Sequence, residues 1–262
     1  MRISLAQLSV IWEAKKKNLL VYENRIKPFS GKTDLLVFPE MFTTGFSMNS
    51  HNLAEHVDEE NGTIATVREW AEKFGFAIAG SFIAKEGENY FNRGFFVLPS
   101  GESFFYDKRH LFTPSGENQH FSPGNKKLIV EYNGWKICLL ICYDLRFPVW
   151  SRNTQNEYDL LIYAANWPSS RKSVWIHLLA ARAIENQCFV CGVNRVGEDG
   201  LQLKYSGNSM LIDAKGRCIS EIPENQESIT TYDISKKELT DFREKFPVWK
   251  DSDNFFIENG VG

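Results

Sequence analysis

The chain has 262 residues, 43% of them hydrophobic, with 33 acidic side chains against 30 basic ones. Mixed, nearly balanced charge excludes a basic nucleic-acid stripe and a membrane-binding face, and no apolar run is long enough to cross a bilayer. The five cysteines are an odd number without framework spacing, which fits reduced thiols in a cytosolic protein rather than a disulfide scaffold.

Arg2 to Leu8 alternates, with Ile3, Leu5 and Gln7 on one side, and reads as a first strand. The opening Met1–Leu8 is too short and too polar for a signal peptide. Glu13 to Phe29 places Leu19, Leu20, Tyr22 and Ile26 at helical spacing, and Pro28, Gly31 and Asp34 punctuate it. Leu35-Leu36-Val37-Phe38 is a continuous apolar run of strand length, expected to be buried on both faces, and it ends in Pro39-Glu40. A carboxylate just past such a strand is a candidate general base, or else the cap of a nearby helix. The apolar, patternless loop Met41–Met48 reads as a pocket wall, with Phe42 and Phe46 as its aromatic candidates; both could equally be core.

A helix is predicted from Thr63 to Phe74, stopped by Gly75. Phe76–Ala84 and Tyr90–Leu98 form a hairpin, Gly80 marking a close approach. Ser103–Asp107 is a short strand that runs into Lys108. A lone lysine is usually solvated surface. Thr113–Gly124, with Glu117 and His120, is a long loop, and long loops in compact domains are often functional. Lys126–Tyr132 and Trp135–Ile141 pair around Asn133-Gly134 and deliver Cys142 at a strand end. Taken alone, Cys142 is as good a core residue as a nucleophile.

Beyond it the pattern gives a short helix over Phe147–Asn153, a buried strand over Asp159–Ala164, and a loop through Ala165-Asn166-Trp167-Pro168. A helix over Ser173–Asn186 has Trp175, Ile176, Leu179, Ala180 and Ala183 on its apolar side. Strands follow at Cys188–Asn194, Asn208–Ile212, Arg217–Ile222 and Ser228–Asp233, then a helix over Lys236–Phe246. From about residue 247 a polar tail carries Trp249 and Phe255-Phe256. There is no internal linker over 1–262, so one domain is expected. Both halves run strand, helix, strand, helix and hairpins, which suggests two pseudo-symmetric sheets with helices on the outer faces.

Glu40 after Leu-Leu-Val-Phe-Pro, Lys108 after Phe-Phe-Tyr-Asp, and Cys142 between Cys-Leu-Leu-Ile and Tyr-Asp-Leu-Arg-Phe-Pro belong together. In this order and with these flanks the chain resembles the nitrilase (carbon–nitrogen hydrolase) superfamily, from Arg2 to about Asp233. The resemblance implies a four-layer α-β-β-α sandwich of two mixed sheets that pairs through outer helices into a homodimer. It also implies a Glu–Lys–Cys triad at Glu40, Lys108 and Cys142, with Glu117 as a second buried glutamate. Phe-Pro-Glu-Met-Phe-Thr-Thr-Gly-Phe-Ser, Lys-Arg-His-Leu-Phe and Ala-Asn-Trp-Pro-Ser-Ser-Arg look like the bacterial omega-amidase branch, which hydrolyses the terminal amide of α-keto acids such as 2-oxoglutaramate and 2-oxosuccinamate. An N-carbamoyl-amino-acid hydrolase, another aliphatic amidase, or a non-catalytic ligand-binding member of the same fold are the competing readings.

The residue types suit that chemistry. A thiolate at Cys142 attacks an amide carbonyl, Glu40 moves the proton, and Lys108 with the backbone N–H of Tyr143 holds the oxyanion. A substrate carboxylate needs a cation in a mostly apolar pocket. Arg146 is the first candidate, its alternative being a buried ion pair with Asp144 or a glutamate; Arg171 is the second, its alternative being plain solvation. Trp167 is a further wall candidate. Cys188-Phe189-Val190-Cys191 has redox spacing but lies in a strand pattern, so both thiols read as core. The histidines lack metal-ligand spacing and no phosphate loop occurs, so neither metal nor cofactor is expected. The expected partner is a small amide, not nucleic acid or membrane.

Overall fold

The computed structural model describes residues 1–253 and 255–257. In chain order the strands are β1 (Arg2–Gln7), β2 (Leu35–Val37), β3 (Ala77–Glu86), β4 (Asn89–Val97), β5 (Ser103–Asp107), β6 (Leu128–Tyr132), β7 (Trp135–Ile141), β8 (Leu160–Ala165), β9 (Phe189–Asn194), β10 (Val196–Glu198), β11 (Lys204–Ser206), β12 (Met210–Ile212) and β13 (Ser228–Asp233). The α-helices are α1 (Lys15–Ile26), α2 (Ser50–Leu53), α3 (Thr63–Phe74), α4 (Glu117–His120), α5 (Lys172–Asn186) and α6 (Lys236–Lys245).

Two large mixed sheets result, in the orders β13-β1-β2-β3-β4-β5 and β12-β9-β8-β7-β6. Strand alternation sends successive side chains to opposite faces, and here both faces are buried. Ile3, Leu5, Leu35, Val37, Ala77 and Ala79 of the first sheet share a core with Ile137, Leu139, Leu160, Ile162, Cys191 and Val193 of the second. The opposite face of the first sheet, with Leu36, Ile78 and Phe82, packs on Tyr22 and Ile26 of α1 and Val67, Trp70 and Phe74 of α3. The opposite face of the second, with Leu140, Leu161 and Tyr163, packs on Trp175, Leu179 and Ala183 of α5. The architecture is therefore α-β-β-α, as expected. Two-sided burial explains why β2 and β8 read as unbroken apolar runs.

Local signals hold where one residue type decides. Gly75 caps α3 in the left-handed region at φ 74°. A Cβ on Gly80 would lie 3.0 Å from both Phe38 Cβ and Phe95 Cζ, so what approaches it closely is side chains. Cys188 and Cys191 sit three residues apart in and beside β9, on opposite faces. They are free, buried and in different cores, which rules out their pairing.

Three expectations fail and one element goes unpredicted. Residues 147–153 form turns rather than a helix, because the helical turn starts earlier, as a 3-10 segment over Cys142–Arg146. Arg217–Ile222 is not a strand; Cys218 makes only an isolated bridge to Ile212. Leu20 is 65% exposed, since Asn18 rather than Leu20 turns inward on α1. The hairpin β10–β11 goes unpredicted because three-residue strands are too short to show a period. Among the described residues no helix is long and apolar enough to cross a membrane.

Candidate active site

Parallel neighbours bring strand ends together. β1, β2 and β3 run parallel in one sheet, and β7, β8 and β9 run parallel in the other. Glu40 follows β2, Lys108 follows β5, Cys142 follows β7 and Asn166 follows β8. Carboxyl ends of parallel strands are where open α/β sheets place reactive groups, and here two sheets contribute to one place.

At its floor lies a buried ionic cluster. Lys108 is 1% exposed, and Glu40 and Glu117 are fully buried. Lys108 Nζ donates to Glu40 Oε1 at 2.8 Å and to the two Glu117 oxygens at 3.0 and 2.9 Å. Glu117 opens α4, and the Phe112 N–H donates to its Oε2 at 2.5 Å. Asn92 Nδ2 donates to Glu40 Oε1 at 2.7 Å and to Glu117 Oε1 at 3.1 Å. The Asn166 N–H donates to Glu40 Oε2 at 2.9 Å, and its side-chain amide donates to the Glu40 carbonyl at 2.6 Å. Every carboxylate oxygen of the cluster thus has a donor, as burial requires.

Electrostatics follow from that packing. Burial alone would lower the Lys108 pKa, but Glu117 and Glu40 outweigh it and hold the ammonium above its ordinary value. Glu117 is pushed up by burial; Lys108 opposes the shift and the Glu40 charge reinforces it. The Cys142 thiol is pushed up by burial first and then by the Glu40 carboxylate, with Lys108 pulling it down. Cys142 is 9% exposed, and its Sγ lies 3.8 Å from the Asn166 carbonyl oxygen. Its backbone occupies the left-handed region at φ 41°, and Met41, next to Glu40, does so at φ 43°. Such conformations cost roughly 1–3 kcal/mol each and collect at functional sites.

Above the cluster opens a cavity of about 100 Å³. Cys142, Lys108, Tyr143 and Asn166 line it, with Phe46, Phe112, Trp167, Arg146 and Arg171 around the walls. Phe46 lies under Lys108 Nζ at 5.1 Å from the ring centre. Half-buried Arg146 stacks on Trp167 at 5.1 Å, and exposed Arg171 stacks on Phe112 at 5.4 Å. Neither arginine has a carboxylate partner among the described residues. The ion pair of Arg146 with Asp144 does not form, because Asp144 is taken by His110 and Tyr106.

Phe42 is the misplaced site residue. It is fully buried against Phe38, at 4.6 Å between ring centres, and lines no part of the cavity. Sequence reasoning missed Asn92, Asn166 and the wall contributed by the β10–β11 hairpin, including Leu203 and Tyr205. Asn92 was visible as one of two adjacent polar residues, with Arg93, at the centre of a largely aromatic strand. Asn166 was visible as a further polar residue just past a buried strand. Asp199, also at the cavity, has its carboxylate occupied by the N–H groups of Leu201 and Leu203 and by the Tyr205 hydroxyl.

Residues 2–244 match the family model described as carbon-nitrogen hydrolase. The chain is 41% identical to the omega-amidase YafV of Escherichia coli (strain K12), covering 97% of this chain and 98% of that protein. It is 34% identical to the 2-oxoglutaramate amidase of Bacillus subtilis (strain 168), covering 95% and 96%. Among solved structures, the Xanthomonas campestris protein XC1258, a CN-hydrolase superfamily protein with an arsenic adduct in its active site, superposes with a TM-score of 0.96. It is 42% identical, with 98% of this chain and 99% of that one covered.

Proposed function

The chain belongs to the carbon–nitrogen hydrolase family, and from that premise we propose that it is an omega-amidase cleaving the terminal amide of small α-keto acid amides such as 2-oxoglutaramate or 2-oxosuccinamate. The products are the keto acid and ammonia. One observation carries the reading beyond the family: a buried thiol and a buried lysine share a small cavity with two arginines that have no carboxylate partner among the described residues, while the one carboxylate lining it, Asp199, is taken up by the N–H groups of Leu201 and Leu203 and the Tyr205 hydroxyl. A short amide that ends in a carboxylate matches that arrangement in size and sign.

Cys142 is the nucleophile. Its thiol is protonated at rest, so attack requires a base, and Glu40 takes the proton as sulfur bonds to the amide carbon. Lys108 and the Tyr143 N–H receive the oxyanion, Lys108 staying charged because two carboxylates hold it so. Glu40 returns the proton to the departing nitrogen, ammonia leaves, and a thioester remains. Glu40 then takes a proton from water, hydroxide adds to the thioester, and the thiol is re-formed as the keto acid departs. Glu117 and Asn92 fix Lys108 and Glu40 throughout. Arg146 receives the substrate carboxylate, with Arg171 at the entrance and Phe46 and Trp167 as walls.

Residues 1–262 act as one hydrolase domain with a tail from about 247, needing no cofactor. It works in the cytoplasm as a homodimer, for which the exposed Val149, Ile184 and Phe246 offer apolar surface. Ammonia release from 2-oxoglutaramate and 2-oxosuccinamate, compared with N-carbamoyl amino acids and simple aliphatic amides, tests the substrate. Turnover of the keto acid amides that vanishes in Cys142→Ala is the expected result. Preference for another group replaces the substrate assignment, and silence on the whole panel refutes catalysis.

A further inference from the structure

Asp144 lies two residues past Cys142 and takes no part in the steps above. Its side chain is fully buried. Four donors converge on it. Oδ2 accepts from the Ile141 N–H at 3.0 Å and from the Tyr106 hydroxyl at 2.7 Å. Oδ1 accepts from the His110 N–H at 3.0 Å and from His110 Nδ1 at 2.8 Å. An ionised carboxylate only accepts, so the hydrogen of this last bond is on Nδ1. The Tyr106 hydroxyl in turn accepts from Trp150 Nε1 at 3.0 Å and from the Arg109 N–H at 3.2 Å. The His110 ring lies flat on Phe147, 3.7 Å between centres.

The partners fall into two groups. Ile141 immediately precedes Cys142, at the end of β7 in the second sheet. Tyr106, Arg109 and His110 flank Lys108, at the end of β5 in the first sheet. One carboxylate therefore ties the turn that carries the sulfur to the segment that carries the ammonium, across the junction of two sheets. The same turn holds Cys142 at φ 41°, a conformation that surrounding contacts must enforce.

We propose that Asp144 is a positioning residue that sets Cys142 against Lys108, with His110 and Tyr106 as its anchors on the lysine side. This rests on the reading of Cys142 as nucleophile and Lys108 as oxyanion cation. Catalysis depends on such placement steeply, a displacement of about 1 Å costing on the order of 10²-fold. The carboxyl group of Asp144 is essential to the brace. An amide in its place offers one acceptor oxygen and an NH₂ that faces two donors.

The test is steady-state kinetics of the full chain on a keto acid amide, with folding followed by thermal melting. Asp144→Asn is expected to lower kcat by on the order of 10²-fold with KM within about threefold, because no cavity-lining side chain is replaced. Tyr106→Phe and His110→Ala each remove part of the brace and are expected to lower kcat by about tenfold. His110→Gln, which restores a donor toward Asp144, is expected to recover most of that loss. Should Asp144→Asn not fold, the anchor variants decide the matter. Wild-type kcat in a folded Asp144→Asn, a loss confined to KM, or anchor variants within about twofold of wild type overturns the proposal. Cys142→Ala separates the two levels. If it is inactive while the brace variants are normal, only the brace fails; if it remains active, the nucleophile assignment falls.

Discussion

Replacing Lys108 by methionine removes the cation from between two fully buried carboxylates. Three charge-assisted hydrogen bonds of 2.8, 3.0 and 2.9 Å disappear. Breaking a buried pair by removing one partner costs about 3–5 kcal/mol, a large part of the roughly 5–15 kcal/mol that holds a domain folded. The loss depends on pH. With the ammonium gone, burial and the facing Glu40 charge raise the folded-state pKa of Glu117 further above its unfolded value. Such a group contributes least destabilisation in acid, where both states are protonated. Lys108→Met should lose about 1.4 kcal/mol per pH unit above the unfolded carboxylate value near 4.3 until that proton is released; wild-type Glu117, also pushed up, follows the same slope over a shorter span, so the two proteins diverge above it. In the wild-type protein the raised Lys108 pKa places its stabilising contribution well below alkaline pH, so that part is constant near neutrality. Urea unfolding of both proteins from pH 5 to 8 measures the difference. Adding Glu117→Gln to Lys108→Met removes one of the two like charges and should recover much of the stability but no activity. Equal stability of wild type and Lys108→Met over that range, or no recovery in the double variant, refutes the account of the cluster.

Glu40→Gln should abolish hydrolysis while Cys142 remains open to alkylation by acrylamide. Since the Glu40 charge pushes the thiol up, its removal should shift the alkylation rate profile to lower pH, and an upward shift contradicts the assignment. Arg146→Met should raise KM for a keto acid amide by about ten- to a hundredfold, the worth of one charge-assisted bond of roughly 1.5–3 kcal/mol, with little change for an uncharged amide. If both substrates suffer equally, Arg146 supports the wall through Trp167 instead. A thiol reagent too large for the cavity should titrate one cysteine quickly in the native protein, exposed Cys218, and all five once the chain is unfolded. Rapid reaction of Cys188 or Cys191 would contradict their burial in two separate cores.

The elements that local pattern predicted well are those with a strong period or a decisive punctuating residue. Helix α3 has an apolar stripe and a left-handed glycine at its end, and both bounds are legible. β2 and β8 are apolar throughout because both their faces are covered. The turn after Cys142 was misread because Pro148 suggested a helix start, whereas Asp144 takes the Ile141 N–H and starts the turn at Cys142 itself. Arg217–Ile222 carries apolar Cys218, Ile219 and Ile222 between two turns and so reads as a strand, but it makes no ladder, and residue type cannot report whether a partner edge is open.

The linear order of residues determined that three reactive groups each follow a strand, two of them buried, because burial and strand endings are written in near neighbours. It could not determine which side chains around them meet. Phe42 turning into the core depends on how α1 and α3 pack on the first sheet, Asn92 reaching Glu40 on the strand order within that sheet, and Asn166 reaching Glu40 on how the two sheets stack. The same stacking left Arg146 without an acidic partner and gave Asp144 its four donors. Apart from the Phe38 ring and the Ile141 N–H, those contacts join positions tens to more than a hundred residues apart, so their geometry is fixed by the packing of whole layers, which no local window contains.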